Sequence, residues 1–475
     1  MATSLTAQQY VVFDAEALVR PASLAQQPLQ ADVVQQALLR ELGPHWAGVT
    51  KNDFTVEDVP LVTFYSRVPG LLKTPFTPQE VCNVSFPTDD RARNFRDAVI
   101  ARINKGDSPL RWVGINPALT VGEYSIPVAP DATLFGTLDD ARRLIGADQL
   151  QDLNGQSVNV VLIDSGIDES IIPAGHFGGG WQPTASDPTL PAPPLPGMTT
   201  GTDALHGMMI VNNILAMAPR VTIFDVPLIP PPKIYNIPNF LHAAHAVFHK
   251  ILKDIQAFRQ VGLYPGPWIF MNAWAIFDRR SEGMYLGEYT ENLGTPGLPP
   301  PHYFIRMIEQ VASHKFDMVF CAGNCGEVCP DGRCGPDDYG PGRGIWGANA
   351  HRDVLTVGGV RVDETWPGYS SEGPGPTPHL QAQKPDLCAP TQFVGASGLY
   401  PPSTGTSASA AVAAGIVCAL RSKATWDQTT IPPVVLKLIL NYTAMQTQGP
   451  GWNRRLGNGV LDAFAAYQQL VSSYP

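Results

Sequence analysis

Charge is the first thing in short supply. Only 16% of the 475 residues are Asp, Glu, Lys or Arg, against roughly 25% in an average soluble protein. The 32 basic and 42 acidic residues leave a net charge of −10, and no basic stripe is present. Binding nucleic acid needs clustered Lys or Arg to neutralise phosphates, so that class of partner is disfavoured. Long apolar runs are missing too. The most apolar stretch, Ala408–Leu420, is too short to span a bilayer and is interrupted by Ser409 and Gly415. The opening residues MATSLTAQQYVVFDAEALVR lack a basic segment followed by an apolar one, which argues against a Sec-type signal peptide. No membrane partner is therefore expected, and the cytoplasm is the simplest location, with non-Sec export left open. No D-x-[DN]-x-[DN]-G loop, dense carboxylate cluster or CxxC pair occurs, so no metal or cofactor is assigned.

Seven Cys are present, an odd number. In a cytosolic protein they are expected mostly as free thiols. Cys325, Cys329 and Cys334 cluster in CGEVCPDGRC. That spacing is loose for zinc, and a fourth ligand would have to be Asp331 or Asp337. Free thiols, a local disulfide and a metal site all remain open for this cluster. Hydrophobic residues make up 44% of the chain, enough for a sizeable core. The 44 Gly and 46 Pro point to many turns and long ordered loops.

Two regions differ in pattern. Residues 1–140 mix strand-like runs (Tyr10–Phe13, Leu61–Tyr65, Leu110–Val113) with helix-like runs (Asp32–Leu42, Asp90–Ile103), and so read as a small α+β domain. Phe95, Ala98, Val99 and Ile103 share one helical face, with Thr88 or Asp89 as N-cap. From residue 141 to 475, apolar β-branched runs alternate with helical ones. Strands are expected at Ser157–Ile163, Val221–Val226, Trp268–Trp274, Met318–Cys321 and Val354–Val357. Helices are expected at His206–Met217, Phe240–Val261, Tyr303–His314 and Thr406–Leu420. Such alternation predicts an α/β fold, a parallel sheet with helices on both faces. Long loops are expected at Gly178–Gly201, Phe277–Pro301 and Gly326–Gly347.

Reactive groups in an α/β sheet gather at the carboxyl ends of its strands. Asp164 stands there, directly after VNVVLI. It could equally cap a turn. His206 starts an apolar helix, where the helix dipole disfavours the cationic form and so favours a neutral general base. Taken alone, a core histidine is the plainer reading. Ser407 lies in GTSASAA at a helix start, where an oxyanion would be stabilised. A Ser there is also a common N-cap. Asn324, after the strand ending in Cys321, could donate its amide to an oxyanion or simply sit in a turn.

In chain order, DSGID, HG before an apolar helix, AGN after a strand and GTSAS opening a helix resemble the motifs of the subtilisin-like serine peptidases, the subtilase family. The order Asp…His…Ser is the subtilisin order. The segments LTVGG, YSSEG, KPDLCAP and GNGVLDA at residues 355–359, 369–373, 384–390 and 457–463 are similar to further family segments. The resemblance covers about residues 140–470. It implies a subtilisin-like fold preceded by a smaller α+β domain, and a serine endopeptidase acting on a protein or peptide. It further implies a catalytic triad of Asp164, His206 and Ser407, with Asn324 and the Ser407 backbone N–H as oxyanion donors. Asn272, Ala273, Trp274 and Ala275 resemble the strand that pairs with the substrate backbone. Many subtilases carry a propeptide, so residues 1–140 are expected as a propeptide-like or accessory domain with possible intramolecular inhibition. The sequence departs from the family at Met208 and Met209, where Thr and His are usual. It departs again at Ala273 and Ala275, where Ser and Gly are usual, and at Ala411, usually Pro. A non-catalytic binding protein of the same fold, or a processing peptidase with one partner substrate, are the competing readings.

Overall fold

A computed structural model describes residues 8–19, 29–67, 80–117, 133–150, 152–184, 191–229, 240–292, 300–376, 383–395 and 402–475. The expected loops at 178–201 and 277–301 lie partly outside these residues, as do the first seven.

The first strand, β1 (Gln9–Phe13), is buried along its whole length. Its side chains alternate between two cores, as strand geometry requires. Val11 and Phe13 enter one core, Tyr10 and Val12 another. Short helix α1 (Ala15–Val19) and α2 (Ala31–Leu42) follow, then β2 (Thr55–Asp58), β3 (Val62–Ser66) and β4 (Val81–Ser85). Helix α3 (Asp89–Ile103) starts where Thr88 Oγ1 accepts the Arg91 N–H at 3.3 Å, so Thr88 is its N-cap. Strand β5 (Leu110–Ile115) completes an antiparallel sheet of order β2-β4-β1-β5. One face of this sheet is covered by α1, α2 and α3.

After α4 (Leu138–Leu144) the parallel sheet begins. Its strands are β6 (Asn159–Asp164), β7 (Phe177–Pro183), β8 (Thr222–Pro227), β9 (Trp268–Asn272), β10 (Asp317–Cys321), β11 (Leu355–Val360) and β12 (Leu387–Pro390). Among the described residues the order is β12-β11-β10-β9-β6-β8-β7-β3. All neighbours are parallel except β3, which pairs antiparallel with β7 and so carries a strand from the first 140 residues onto the edge of the larger sheet. The intervening helices are α5 (Leu205–Met217), α6 (Phe240–Gln260), α7 (Tyr303–Ser313), α8 (Gly405–Arg421), α9 (Pro433–Thr443) and α10 (Ala463–Ser473). Helices α4, α5, α8, α9 and α10 cover one face; α6 and α7 cover the other. The expected α/β fold is therefore observed.

Expected elements end within one to three residues of the observed ones. Strands β2, β4, β7 and β12 and helices α1, α4, α9 and α10 have no counterpart among the expected elements. The start of the expected loop at 178–201 is strand β7. Its glycines lie where backbones meet: a Cβ on Gly180 would sit 2.0 Å from the Asp225 carbonyl oxygen.

Small residues fix the helix pair that matters for the site. Every residue of α8 is buried. A Cβ on Gly415 would stand 2.7 Å from Met217 Cβ on α5, so glycine there allows α5 and α8 to pack closely. Among the described residues no helix is long and apolar enough to cross a membrane.

Candidate active site

Three neighbouring strands end side by side. Ile163 pairs with Asn272 between β6 and β9, and Asn272 pairs with Phe320 between β9 and β10. Asp164, Ala273 and Asn324 thus leave the same edge of the sheet. Asp164 is fully buried, and a buried carboxylate needs hydrogen bonds. Its Oδ1 accepts from Ser165 N (2.8 Å), Ser165 Oγ (3.1 Å) and His206 Nδ1 (2.7 Å). His206 is the second residue of α5. With Nδ1–H donated to the carboxylate, the neutral ring carries its lone pair on Nε2. The next residue, Gly207, packs so tightly that a Cβ would lie 2.2 Å from the Gly166 oxygen.

Ser407 is the third residue of α8, and the N-cap position belongs to Thr404, whose side chain makes no capping bond. The N-cap reading of Ser407 is thereby removed. Asn324 does the capping instead: its Oδ1 accepts from Thr406 N and from Thr406 Oγ1, both at 3.0 Å. Of the two ends of a side-chain amide only the oxygen can accept an N–H, so this bond fixes which end is which. Nδ2 is left as the donating end. Gly405, at φ +73°, lets the chain turn into α8 here; a Cβ would stand 3.3 Å from that Nδ2. The Ser407 hydroxyl donates to Ala273 O at a long 3.4 Å. Ser407, His206 and Asn324 are all buried, which strengthens electrostatic interactions among them.

The residues after β9 divide by face. Ala273 and Ala275 join the core on the α5–α8 side, and Trp274 the opposite one. Trp274 Nε1 donates to Asn272 Oδ1 at 3.1 Å, and Asn349 Nδ2 donates to Trp274 O at 2.8 Å. The side chains of Asn272 and Trp274 are thus tied into the interior, while Ala273 adjoins Ser407. At the departures, Met208 Sδ accepts the Asp168 N–H at 3.4 Å, and Met209 and Ala411 are buried.

The loop after Asn324 is closed by a disulfide between Cys325 and Cys334. Cys82, Cys321, Cys329, Cys388 and Cys418 are in no disulfide. Of the three readings left open for this cluster, the local disulfide is the one that holds for Cys325 and Cys334, while Cys329 keeps its thiol and Asp331 pairs with Arg333 at 2.6 Å. Arg333 lies over the Phe277 ring, and Asp331 N donates to Asn324 O at 2.9 Å, so the loop folds back on the site.

One residue escaped the sequence reading. Asp225, in β8, is fully buried and accepts Gly197 N–H (2.8 Å) and Ile167 N–H (3.3 Å) on Oδ2. Burial, and then the nearby Asp164 charge, push its carboxyl up to about 7, against the pull of those N–H bonds. Its signal was there: an acid in the middle of an apolar strand.

Comparison with known proteins gives three results. Residues 292–459, the stretch that holds Asn324 and Ser407, match the Subtilase family. No curated protein matches the chain. Among solved structures, fervidolysin from Fervidobacterium pennivorans, a keratinolytic enzyme related to subtilisin, aligns with a TM-score of 0.51 at 14% identity, over 97% of this chain and 61% of its own. MycP1 from the ESX-1 type VII secretion system aligns with a TM-score of 0.44 at 18% identity, over 74% of this chain and 88% of its own. MycP1 from Mycobacterium smegmatis gives 0.42 at 17%, over 74% and 87%. At such identity the fervidolysin match is a likeness of fold. Residues 292–459 thus carry the Subtilase family's pattern, and nearly the whole chain shares its fold with fervidolysin.

Proposed function

We propose that this chain is a serine endopeptidase that uses Asp164, His206 and Ser407 as its triad and Asn324 as an oxyanion donor. The observation that carries the reading is the 2.7 Å bond between His206 Nδ1 and Asp164 Oδ1, buried at the end of β6. Ser407 Oγ leaves its contact with Ala273 O, passes its proton to His206 Nε2 and attacks the scissile carbonyl carbon. Asn324 Nδ2 and the Ser407 N–H donate to the resulting oxyanion. The C–N bond breaks as His206 returns the proton to the leaving amine. Water then attacks the acyl ester, with His206 taking and returning a proton again. Asp164 orients the ring and stabilises the imidazolium. Within Asn272–Ala275, the residues beyond the end of β9 are the backbone on which a substrate strand would lie, with Asn272, paired on both sides in the sheet, holding them in place.

A fluorophosphonate probe tests this directly. Wild type is labelled and cleaves an unfolded protein; Ser407→Ala is not labelled and loses at least about 10⁴-fold in kcat, as expected for removing a nucleophile that acts as one unit with its base. Labelling that persists in Ser407→Ala rejects Ser407 as nucleophile. A wild type that neither labels nor cleaves supports the non-catalytic binding reading. Cleavage of a single partner protein supports the processing peptidase.

Residues 1–140 form, in this proposal, a propeptide-like or accessory unit able to restrain the peptidase part, residues 141–475. Their sheet lies across the α6–α7 side of the larger sheet, which supports the reading. Intact mass separates the forms. A shortened wild type beside a full-length Ser407→Ala marks self-processing; two full-length chains mark a permanent attachment. The cytoplasmic location belongs to this proposal as well. A Cys325–Cys334 bond is rare in a reducing cytosol, so its recovery after alkylation of protein from the source cell would move the location to an oxidising compartment.

A further inference from the structure

Asp225 carries more than its place in a strand requires. It is buried in the middle of β8, between the apolar residues Phe224 and Val226. Burying a carboxyl there costs free energy that its hydrogen bonds must offset. Both bonds go to one oxygen, Oδ2, and both donors belong to segments next to the triad. Ile167 N–H lies in the turn that follows Asp164. Gly197 N–H lies in the stretch that leads to His206. The two segments also bind each other: Glu169 N donates to Gly197 O at 2.9 Å, and Thr199 N donates to Ile167 O at 3.1 Å. The whole lattice is fastened to the sheet at Asp225.

His206 sits on that lattice. Gly207 touches Gly166, where no Cβ fits, so any movement of the 165–167 turn moves the start of α5. The sheet register adds a second relation. Asp225 pairs with Leu162 across β6–β8, which puts its side chain on the same sheet face as that of Asp164, two residues further on. Two carboxyl oxygens on that face, Asp164 Oδ2 and Asp225 Oδ1, are buried without a hydrogen-bond partner among the described residues.

We propose that Asp225 is a positioning residue for the Asp164–His206 pair, fastening the turn after Asp164 and the approach to α5 to the central sheet through Oδ2. A single proton on Asp225 Oδ1 lets it do so without a second buried negative charge beside Asp164. The carboxyl's rise to about 7 agrees with that arrangement. The carbonyl oxygen of the protonated acid still accepts both N–H groups.

The proposal rests on the peptidase reading of the same site, so the test has one arm that needs activity and one that does not. The full chain carries Asp225→Asn or Asp225→Leu, and active sites are counted with the fluorophosphonate probe so that misfolded molecules drop out. Asparagine keeps an acceptor oxygen and loses less than about threefold in kcat per titrated site. Leucine keeps the volume but no acceptor, and loses about 10- to 100-fold in kcat with KM nearly held, the size expected from a small misplacement of reacting groups. The acid limb of kcat/KM in the leucine variant also moves to lower pH, because a loosened Asp164 no longer supports the imidazolium. If leucine prevents folding, Asp225→Thr offers one hydroxyl for two donors and falls between the other two. In the second arm, every variant carries Ser407→Ala, and the His206 titration midpoint is read by NMR. It falls with leucine and holds with asparagine. A leucine variant with wild-type kcat per site, an unmoved acid limb and an unmoved His206 midpoint overturns the proposal while leaving the triad intact. A chain without activity overturns the peptidase reading, and the NMR arm still decides on Asp225.

Discussion

In the proposed mechanism Asn324 uses the two ends of one amide for different tasks. Its oxygen caps α8 through the Thr406 N–H, and its nitrogen is the end left to donate to an oxyanion. The two tasks separate by substitution. Asn324→Asp keeps the capping oxygen, at a helix start that favours negative charge, but loses the donor. Asn324→Ala loses both. Both variants lower kcat per titrated site by at least about 100- to 1,000-fold, the size found for the equivalent donor in subtilisin. Only the alanine variant loses the cap, at about 1 kcal/mol, or a few degrees at most in thermal midpoint. Scanning calorimetry beside single-turnover kinetics checks both halves. An aspartate variant with wild-type kcat would remove Asn324 from the oxyanion site.

At the scale of elements, the edge strand β3 ties the first 140 residues to the larger sheet. Phe64 in β3 is fully buried, with its ring 4.9 Å from those of Trp181 and Phe258 and 6.5 Å from that of Phe224. Phe64→Ala is expected to cost about 3–5 kcal/mol, as for other buried phenylalanines. Urea unfolding followed by tryptophan fluorescence reads the loss, since Trp181 lies in the same cluster. This pairing also shows where sequence reading stops. Strands such as β6 and β9 were legible because an apolar run with no alternation already says that both faces are covered. Asp164, His206, Ser407 and Asn324 stood out as candidates because each sits in a short motif beside its own element. Strand β7 begins FGGGW, and glycines read as loop when considered locally. Here they are required by the close approach of β3 and β8, which the local sequence does not record. The same holds for Asp225, whose meaning depends on Ile167 and Gly197, far from it in the chain.

At the scale of the whole molecule, a histidine-rich seam joins the amino-terminal sheet to the α6–α7 side. His242, His245 and His249 lie on α6, and His302 caps α7. Asn116 Nδ2 meets His242 Nδ1 at 2.9 Å, and His302 Nε2 donates to Ile115 O at 3.0 Å while its Nδ1 accepts Phe304 N–H. The Tyr10 ring lies tilted against His245, and both Tyr10 and Trp112 meet the His302 ring edge to face. Burial lowers His302 to about 3. Burial, with the neighbouring imidazoles, takes His245 well below its ordinary value. His249 is lowered by burial, with Lys253 and Lys250 adding to the effect and Glu80 opposing it. These rings are neutral while the sheet is docked and regain an ordinary value near 6.5 when it leaves. Docking is therefore at full strength above about pH 6.5 and weakens as the pH falls below it, up to tenfold per pH unit for each ring. Glu288, raised by burial against the pull of Arg96, opposes the trend with one group against three. Hydrogen exchange on the full chain at pH 7.5 and pH 5, corrected for the intrinsic rate, should show β1, β4 and β5 losing protection well before β9 and β10. His302→Gln, which keeps a donor for Ile115 O but cannot take up a proton, should flatten that loss. Equal protection of both sheets at the two pH values would mean that the seam holds whatever its histidines carry.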